Sequence, residues 1–358
     1  MHAVIMAGGR GTRFWPRSRE KKPKHLLDII SHRTIIQETV DRILPLVDPE
    51  NILVVTGIKH ARALMNQLPQ IPSRNIIIEP EGKNTAPCIG LAALHIQKKA
   101  GDDIMVVLPS DHAIADAAKF LQVINAAVQT AANEDALVTI GIKPASPQTG
   151  YGYIEKGALI ESKTTEEVSH VKSIHEKPDY KQALEFVKSG NFYWNSGMFI
   201  WKSSAILKSI SRWLPDLYSG LTTINEALGL PGEKAAIRRI YKNLVPVSID
   251  YGVMEKADNV YTVKGDFGWS DVGSWDALWE ISAKDENGNA MIGGSNVIAE
   301  GSTGSLVYSP NKLVALAGVK DLIVVETKDA LLICPKGDSQ NVKKIVDALE
   351  AKKLKKYL

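Results

Sequence analysis

Five short runs rich in valine and isoleucine alternate with helical patterns along the first 142 residues. Each run is apolar at consecutive positions, which is typical of strands buried on both faces of a parallel sheet. The alternation predicts an α/β, Rossmann-like, mostly parallel sheet with right-handed crossovers. The predicted strands are 2–7, 51–57, 75–80, 104–109 and 136–142, and the predicted helices between them are 34–46, 85–99 and 115–132.

The first predicted strand runs directly into a glycine-rich turn at residues 8–11. Such a turn exposes backbone N–H groups to phosphate, and Arg13 and Lys24 add positive charge nearby. It is not the common P-loop, since no Gly-Lys-Ser/Thr closes it. It is not the dinucleotide fingerprint either, because Phe14 occupies the place of the last glycine. We predict a triphosphate-binding loop, and an ordinary turn is the alternative.

Charge and cysteine content exclude several classes of protein. The 358 residues include 43 basic and 40 acidic side chains, so no overall field favours nucleic acid or an anionic membrane. Cys88 and Cys334 are far apart, which argues against a disulfide framework and fits a reducing cytoplasm. The first residues show no secretory leader, and no stretch is long and apolar enough to cross a membrane. We therefore expect a cytoplasmic protein that binds neither nucleic acid nor membrane.

The pattern changes twice along the rest of the chain. Residues 150–284 mix predicted strands with helices and suit an acceptor-binding half, so we expect one domain over 1–284 with a nucleotide-binding half at 1–150. After residue 285, glycine-punctuated short strands precede a lysine-rich helix, predicted over 338–357. We expect 285–358 to be a β-rich module that organises a homodimer rather than chemistry. The middle section's predicted strands are 168–176, 197–201 and 259–264, and its predicted helices are 179–189, 203–213 and 233–243.

Seven motifs, in order, resemble those of the sugar nucleotidyltransferases, in the variant carried by mannose-1-phosphate guanylyltransferases. The resemblance spans roughly 1–282. It implies transfer of GMP from GTP to α-D-mannose 1-phosphate, giving GDP-mannose and pyrophosphate, with Mg²⁺ or Mn²⁺ as cofactor. It also implies a short left-handed β-helix-like element in the C-terminal module, although no clean hexapeptide period is present. The motifs are G-G-x-G-T-R-x-W-P-x-S-R (8–19) with Pro23-Lys24, E-P-E-G-K-N-T-A-P (79–87), L-P-S-D-H (108–112), G-Y-G-Y-I (150–154), H-E-K-P (175–178), W-N-S-G-M-F (194–199) and G-W-S-D-V-G-S-W (268–275).

The resemblance assigns the first three motifs to the nucleotide. Arg13 and Lys24 are expected to act on the triphosphate as catalytic cations, with surface charge as the alternative for such lysines. An amide and backbone groups at a helix start could read guanine, although Asn84 or Thr85 could equally be an ordinary N-cap. The expected nucleotide-binding residues are Ala7, Gly8, Gly9, Gly11, Thr12, Arg13, Glu79, Pro80, Asn84, Thr85 and Asp111.

The remaining motifs are assigned to the sugar phosphate and the metal. Lys177 is expected to be the third catalytic cation, bridging the sugar phosphate and the α-phosphate, while a strand-end salt bridge with Glu176 is the alternative. Asp111 and Asp271 are expected to hold the metal, because two carboxylates with phosphate oxygens suit octahedral Mg²⁺. A cap or turn is the alternative for a lone aspartate. The expected sugar-phosphate residues are Tyr151, Gly152, Glu176, Lys177 and Asn195.

Two other functions compete with this interpretation. One is the same reaction with another sugar 1-phosphate or nucleotide, because the orientation of one hydroxyl changes few side chains. The other is a regulatory paralogue that binds nucleotide sugar without catalysis. The presence of all the expected cations and carboxylates favours the enzyme.

Overall fold

The computed structural model describes residues 1–9, 11–133, 135–161, 164–294 and 296–358. The strands are β1 His2–Ala7, β2 Ile52–Gly57, β3 Ile76–Glu79, β4 Ile104–Pro109, β5 Ala113–Ile114, β6 Leu137–Ile142, β7 Gly152–Leu159, β8 Val168–Glu176, β9 Phe192–Lys202, β10 Val260–Gly265, β11 Trp269–Ser270, β12 Ala290–Ile292, β13 Val297–Glu300, β14 Leu306–Tyr308, β15 Val314–Ala317, β16 Leu322–Glu326 and β17 Leu331–Pro335. All eight strands predicted from the sequence are present.

The helices begin where local sequence signals allow. Asp179 and Gln182 form a reciprocal capping box, and Gly190 closes the same helix in the left-handed conformation. Pro215 stands in the first turn of another helix, where its missing N–H is not needed. The helices are α1 Ile35–Ile43, α2 Ala61–Gln67, α3 Thr85–Ala100, α4 Ala117–Asn133, α5 Tyr180–Ser189, α6 Ser203–Trp213, α7 Pro215–Ala227, α8 Glu233–Asn243, α9 Trp275–Ile281 and α10 Val342–Ala351. Within the described ranges, none is long and apolar enough to span a bilayer.

The chain forms two compact units. Unit 1 comprises residues 1–8, 41–109 and 114–269, and unit 2 comprises 9–40, 110–113 and 270–358. This division follows contacts in space, whereas the predicted boundary at 284/285 follows composition along the chain. That boundary stays a prediction.

Unit 1 is built on a nine-stranded sheet in the order β3-β2-β1-β4-β9-β6-β10-β8-β7. The predicted parallel pairing is confirmed for β3, β2, β1 and β4. Strand β6, also predicted in that sheet, pairs in parallel with β10. Strand β9 runs antiparallel to β4, β6 and β7, and β8 runs antiparallel to β7 and β10. The sheet is therefore parallel where the nucleotide-binding half was predicted and mixed beyond it.

Helices α3, α6, α7 and α8 pack together on the sheet of unit 1 and bury an apolar core. The helix α3 is alanine-rich, as its sequence predicted, and Ala86–Leu94 and Ile96 are buried. Trp194, Phe199 and Trp201, predicted as core, are 8%, 1% and 0% exposed. The parallel strands β1, β3 and β4 end at one edge of the sheet, as their register shows.

Unit 2 contains stacked parallel coils followed by α10. Strands β12, β14 and β16 stack in parallel, and β13 stacks on β15. Equivalent positions lie 16 residues apart between Ala290 and Leu306 and 17 apart between Leu306 and Ile323. Coils of unequal length explain why no clean hexapeptide period is visible in the sequence. The β-helix-like element is confirmed, and the predicted closing helix is shorter than expected.

Candidate active site

A polar pocket of about 320 Å³ lies in unit 2, at the glycine-rich loop. It brings together residues from segments as far apart in the sequence as Gly11 and Lys343. Three cations and two carboxylates line it, so it is suited to a strongly charged ligand. The lining residues are Gly11, Thr12, Arg13, Phe14, Lys24, Asp111, His112, Asp271, Gly273 and Lys343.

Lys24 joins the two predicted metal-binding segments in this pocket. Its ammonium group lies 2.9 Å from an Asp111 carboxylate oxygen and donates to the Asp271 backbone carbonyl at 2.5 Å. Lys24 is only 5% exposed, which rules out a solvated surface lysine. Burial acts to raise the pKa of Asp111, but Lys24 and His112 outweigh it and hold that pKa below its usual range. Asp111 is therefore a carboxylate throughout the neutral range.

The glycine-rich loop needs glycine where it passes Lys24. Gly11 has φ +59°, and a β-carbon there would lie 2.6 Å from Lys24 Cβ. Gly9 is also left-handed, at φ +91°. Ala7 ends β1, while Gly8, Gly9 and Arg13 are exposed and accessible to a ligand. Arg10, part of the same motif, lies outside the described residues.

The rest of the first motif fastens this loop to the C-terminal module. The Trp15 indole donates to the Tyr357 carbonyl at 2.8 Å. Arg17 donates to the Tyr308 hydroxyl, and Arg19 lies 2.8 Å from an Asp329 carboxylate oxygen. These bonds explain why the loop and the module belong to one compact unit.

A second cluster lies in unit 1, where the sheet register places three predicted sugar-phosphate residues side by side. Gly152 on β7 pairs with Glu176 on β8 and with Asn195 on β9. A β-carbon at Gly152 would collide with the Glu176 carboxylate, so a larger residue there would displace that carboxylate. The Tyr151 ring packs edge-on against Trp194, with centroids 5.1 Å apart. The register therefore brings these motifs together.

Asn195 is held in one orientation by its neighbours. Its carbonyl oxygen accepts from the Thr139 hydroxyl at 3.0 Å and from the Gly197 N–H at 3.2 Å. Its amide nitrogen donates to Asp250 at 2.8 Å. An amide nitrogen carries two hydrogens, so one remains for a ligand.

Carboxyl groups of this cluster resist ionisation. Burial, together with the neighbouring Asp250 and Glu255, raises the pKa of Glu176 to about 7, although Lys177 opposes this shift. Burial also raises the pKa of Asp250. Lys177 lies 3.6 Å from Glu176, so the strand-end ion pair given as the alternative does form, but the Lys177 side chain stays 59% exposed. It can therefore also reach a ligand.

Of the four residues predicted to read the base, Asn84 and Thr85 make structural hydrogen bonds. Asn84 caps α3, accepting from the Thr85 N–H at 2.9 Å, and the Thr85 hydroxyl accepts from the Ile249 N–H at 2.8 Å. The alternative interpretation as a cap is thus confirmed. Glu79 ends β3 and is 7% exposed, and burial raises its pKa to about 7. Its Oε1 atom has no hydrogen-bond partner within the described part of the chain, and Pro80 follows beside an open groove.

Strained backbone marks three of these motifs. Asn84, Lys177 and Val272 have φ of +71°, +51° and +45°, in the left-handed region that non-glycine residues avoid. For the β-branched Val272, this conformation is costly, and its complete burial holds it there. Strain of this kind is typical of sites where position matters more than stability.

The pocket of unit 2 fits a divalent metal by the chemistry of its donors. Asp111 and Asp271 supply two carboxylates, and Mg²⁺ takes its remaining ligands from substrate phosphates and water. Across the described ranges, no cluster of three or more His, Cys, Asp or Glu side chains could hold a metal alone. A metal here would thus depend on bound phosphate. Nucleotidyltransferases of this type generally use a divalent ion.

Sequence reasoning missed Asp250 and Lys343. Asp250 is a lone acid in the apolar stretch 247–254, and a single charge in such a stretch is the signal that could have found it. Lys343 is one lysine of a lysine-rich helix, and no local signal separates it from its neighbours.

Comparison with known proteins accords with this geometry. Residues 2–288 match the nucleotidyl transferase family model, and residues 295–349 match that of the MannoseP isomerase/GMP-like beta-helix domain. The chain is 41% identical to a mannose-1-phosphate guanylyltransferase of Klebsiella pneumoniae, covering 99% of this chain and 75% of that protein. It is 40% identical to mannose-1-phosphate guanylyltransferase ManC of Salmonella typhimurium, covering 98% and 73%.

A solved structure extends the likeness to the whole fold. The crystal structure of a mannose-1-phosphate geranyltransferase from Thermus thermophilus has a TM-score of 0.88 and 32% identity, covering 98% of this chain and 99% of that one. The fold and both sequence comparisons therefore agree, and the chain belongs to the nucleotidyl transferase family.

Proposed function

We propose that the chain transfers GMP from GTP to α-D-mannose 1-phosphate, giving GDP-mannose and pyrophosphate. The observation that carries this proposal is the pocket of unit 2, where Lys24 ties Asp111 and Asp271 to the glycine-rich loop. The names of the relatives support the choice of guanine and mannose.

The reaction is one displacement at the α-phosphorus. An oxygen of the sugar phosphate forms the new P–O bond, and the bond from the α-phosphorus to the bridging oxygen breaks. Pyrophosphate leaves with that electron pair. The nucleophile is already ionised near neutral pH, so the protein needs alignment and charge neutralisation rather than a general base.

Unit 2 is proposed to hold the triphosphate. Backbone N–H groups of Gly9, Gly11 and Thr12 and the Arg13 guanidinium bind phosphate oxygens, while Lys24 stabilises charge that develops at the α-phosphate. Asp111 and Asp271 would hold Mg²⁺, or Mn²⁺ in its place, which supplies charge neutralisation at the phosphates when bound.

Unit 1 is proposed to bind the sugar and the base. The Glu176 carboxylate accepts hydrogen bonds from sugar hydroxyls, Asn195 donates its remaining amide hydrogen, and Lys177 contacts the sugar phosphate. Tyr151 and Gly152 provide the surface against which the sugar lies. Glu79, Pro80, Asn84 and Thr85 are proposed to face the base, with the unpartnered Glu79 oxygen as the acceptor for guanine N–H groups.

A cytoplasmic homodimer completes the proposal. Several apolar side chains of the module are exposed, among them Leu313 at 63%, Leu331 at 56% and Ile333 at 58%. Apolar surface of this kind tends to be covered by a partner, and a second copy is the simplest one. Ile333→Lys should convert a dimer to a monomer in light scattering. An unchanged mass would show that these side chains do not form the dimer interface.

The direct test of function is pyrophosphate release from defined substrates. Release should need GTP, mannose 1-phosphate and a divalent metal together, and Asp111→Asn should abolish it while the protein stays folded. Equal rates with glucose 1-phosphate and ATP would contradict the substrates. Tight nucleotide-sugar binding without any release would instead support a regulatory paralogue.

A further inference from the structure

The first turn of the C-terminal helix α10 borders the phosphate pocket. Lys343, its second residue, lines the same cavity as Arg13, Lys24, Asp111 and Asp271. The module that was expected to organise subunits thus contributes a cation to the candidate active site.

The position of Lys343 is set by its neighbours on the helix. Val342 is 1% exposed and Val346 is 7% exposed, and both pack in one core cluster with Phe14 and Trp15 of the first motif. Helix α10 also contacts the short turn Thr12–Phe14. Because buried side chains on both sides of the contact hold the helix to the loop, the Lys343 backbone has little freedom to leave the pocket.

Lys24 and Lys343 differ in what their charges already do. The Lys24 ammonium is paired with Asp111 and with the Asp271 carbonyl. Lys343 is exposed, and among the described residues no ion pair or hydrogen bond engages its ammonium. A triphosphate carries more negative charge than Arg13 and the paired Lys24 can offset, so an unpaired cation at the open side of the pocket completes the neutralisation.

We propose that Lys343 binds the β- and γ-phosphates of the nucleoside triphosphate, the part that leaves as pyrophosphate. Lys343 is the exposed lysine of the pocket, and the leaving group must depart toward solvent. The buried Lys24 then contacts the α-phosphate. This inference rests on the proposed function only in requiring a nucleoside triphosphate as ligand. The C-terminal module is then part of the substrate-binding machinery.

The test compares two adjacent, exposed lysines of α10. Lys343→Gln and Lys344→Gln each remove one charge from α10, but only Lys343 lines the pocket. Lys343→Gln should raise KM for GTP about tenfold, as expected for one charge-assisted contact at an exposed position, and leave KM for mannose 1-phosphate unchanged. In the reverse direction it should raise KM for pyrophosphate but not for GDP-mannose. Lys343→Arg should recover most of the loss.

Equal KM values for GTP in Lys343→Gln and Lys344→Gln would overturn the proposal. If the wild-type chain uses another nucleotide, the comparison is made with that nucleotide, since the triphosphate is common to all. If it transfers none, the proposed function fails on its own. Calorimetric titration with pyrophosphate then decides, because weaker binding by Lys343→Gln alone supports the contact and equal binding refutes it.

Discussion

The two clusters of candidate functional residues handle charge in opposite ways. In unit 2, cations dominate, and Lys24 keeps the Asp111 carboxylate ionised with a lowered pKa. In unit 1, acids crowd together, and burial raises the pKa of Glu176 to about 7. The first cluster suits phosphate and metal, which need fixed charge. The second suits hydroxyl groups, and its Glu176 carboxyl changes protonation near neutral pH. In the proposed function, each environment serves a different part of the substrates.

The largest expected effect is in unit 2. Lys24→Met removes the cation that joins Asp111 to the Asp271 segment, and we expect kcat/KM to fall by about two to three powers of ten. Lys21→Met, which removes an exposed lysine from the same charged run, is the control and should stay near wild type. Steady-state kinetics measure both. A Lys24→Met variant that loses only thermal stability would assign this cluster a structural role.

A smaller effect is expected at Asp250 in unit 1. Asp250→Asn weakens the orientation of Asn195 and removes a like charge beside Glu176. KM for mannose 1-phosphate should rise about tenfold, and the pKa of Glu176 should fall, moving the pH profile toward acid. The exposed Asp258→Asn on the same unit should change neither quantity. An unchanged pH profile would show that Asp250 does not influence the pKa of Glu176.

The last expected effect concerns stability and leaves the reaction chemistry aside. Because burial raises the pKa of Glu79 to about 7, ionising it in the folded state is unfavourable, and stability is lost as pH rises from its unfolded value toward and through 7. Glu79→Gln should abolish this loss, about 1–3 kcal/mol between pH 5 and 8. Thermal unfolding at both pH values measures it, with the exposed Glu226→Gln as control. Equal pH dependence in all three proteins would contradict a buried Glu79 carboxyl with a raised pKa.

Local patterns predicted the fold better than they predicted the site. The buried strands β1 and β4 and the helices α6 and α8 have the bounds expected from their sequences, since apolar periodicity depends on neighbouring residues alone. The cluster of unit 1 depends instead on the register among β7, β8 and β9, which pairs Gly152 with Asn195, 43 residues further along the chain. Asp250 and Lys343 reach their clusters only through such long-range packing. The other candidate site residues were predicted from the motifs of the family, because residues that meet in the fold recur together in those motifs.

The contrast between the two clusters is tested most directly by comparing wild type with Glu176→Gln across pH. The ratio of their KM values cancels titration of the substrates themselves. For mannose 1-phosphate, the ratio of wild type to variant should fall as pH rises from 6 to 8, with a midpoint near 7 as the Glu176 carboxyl ionises. For GTP, the ratio should stay flat. A flat ratio for mannose 1-phosphate, or the same midpoint for GTP, would contradict the account.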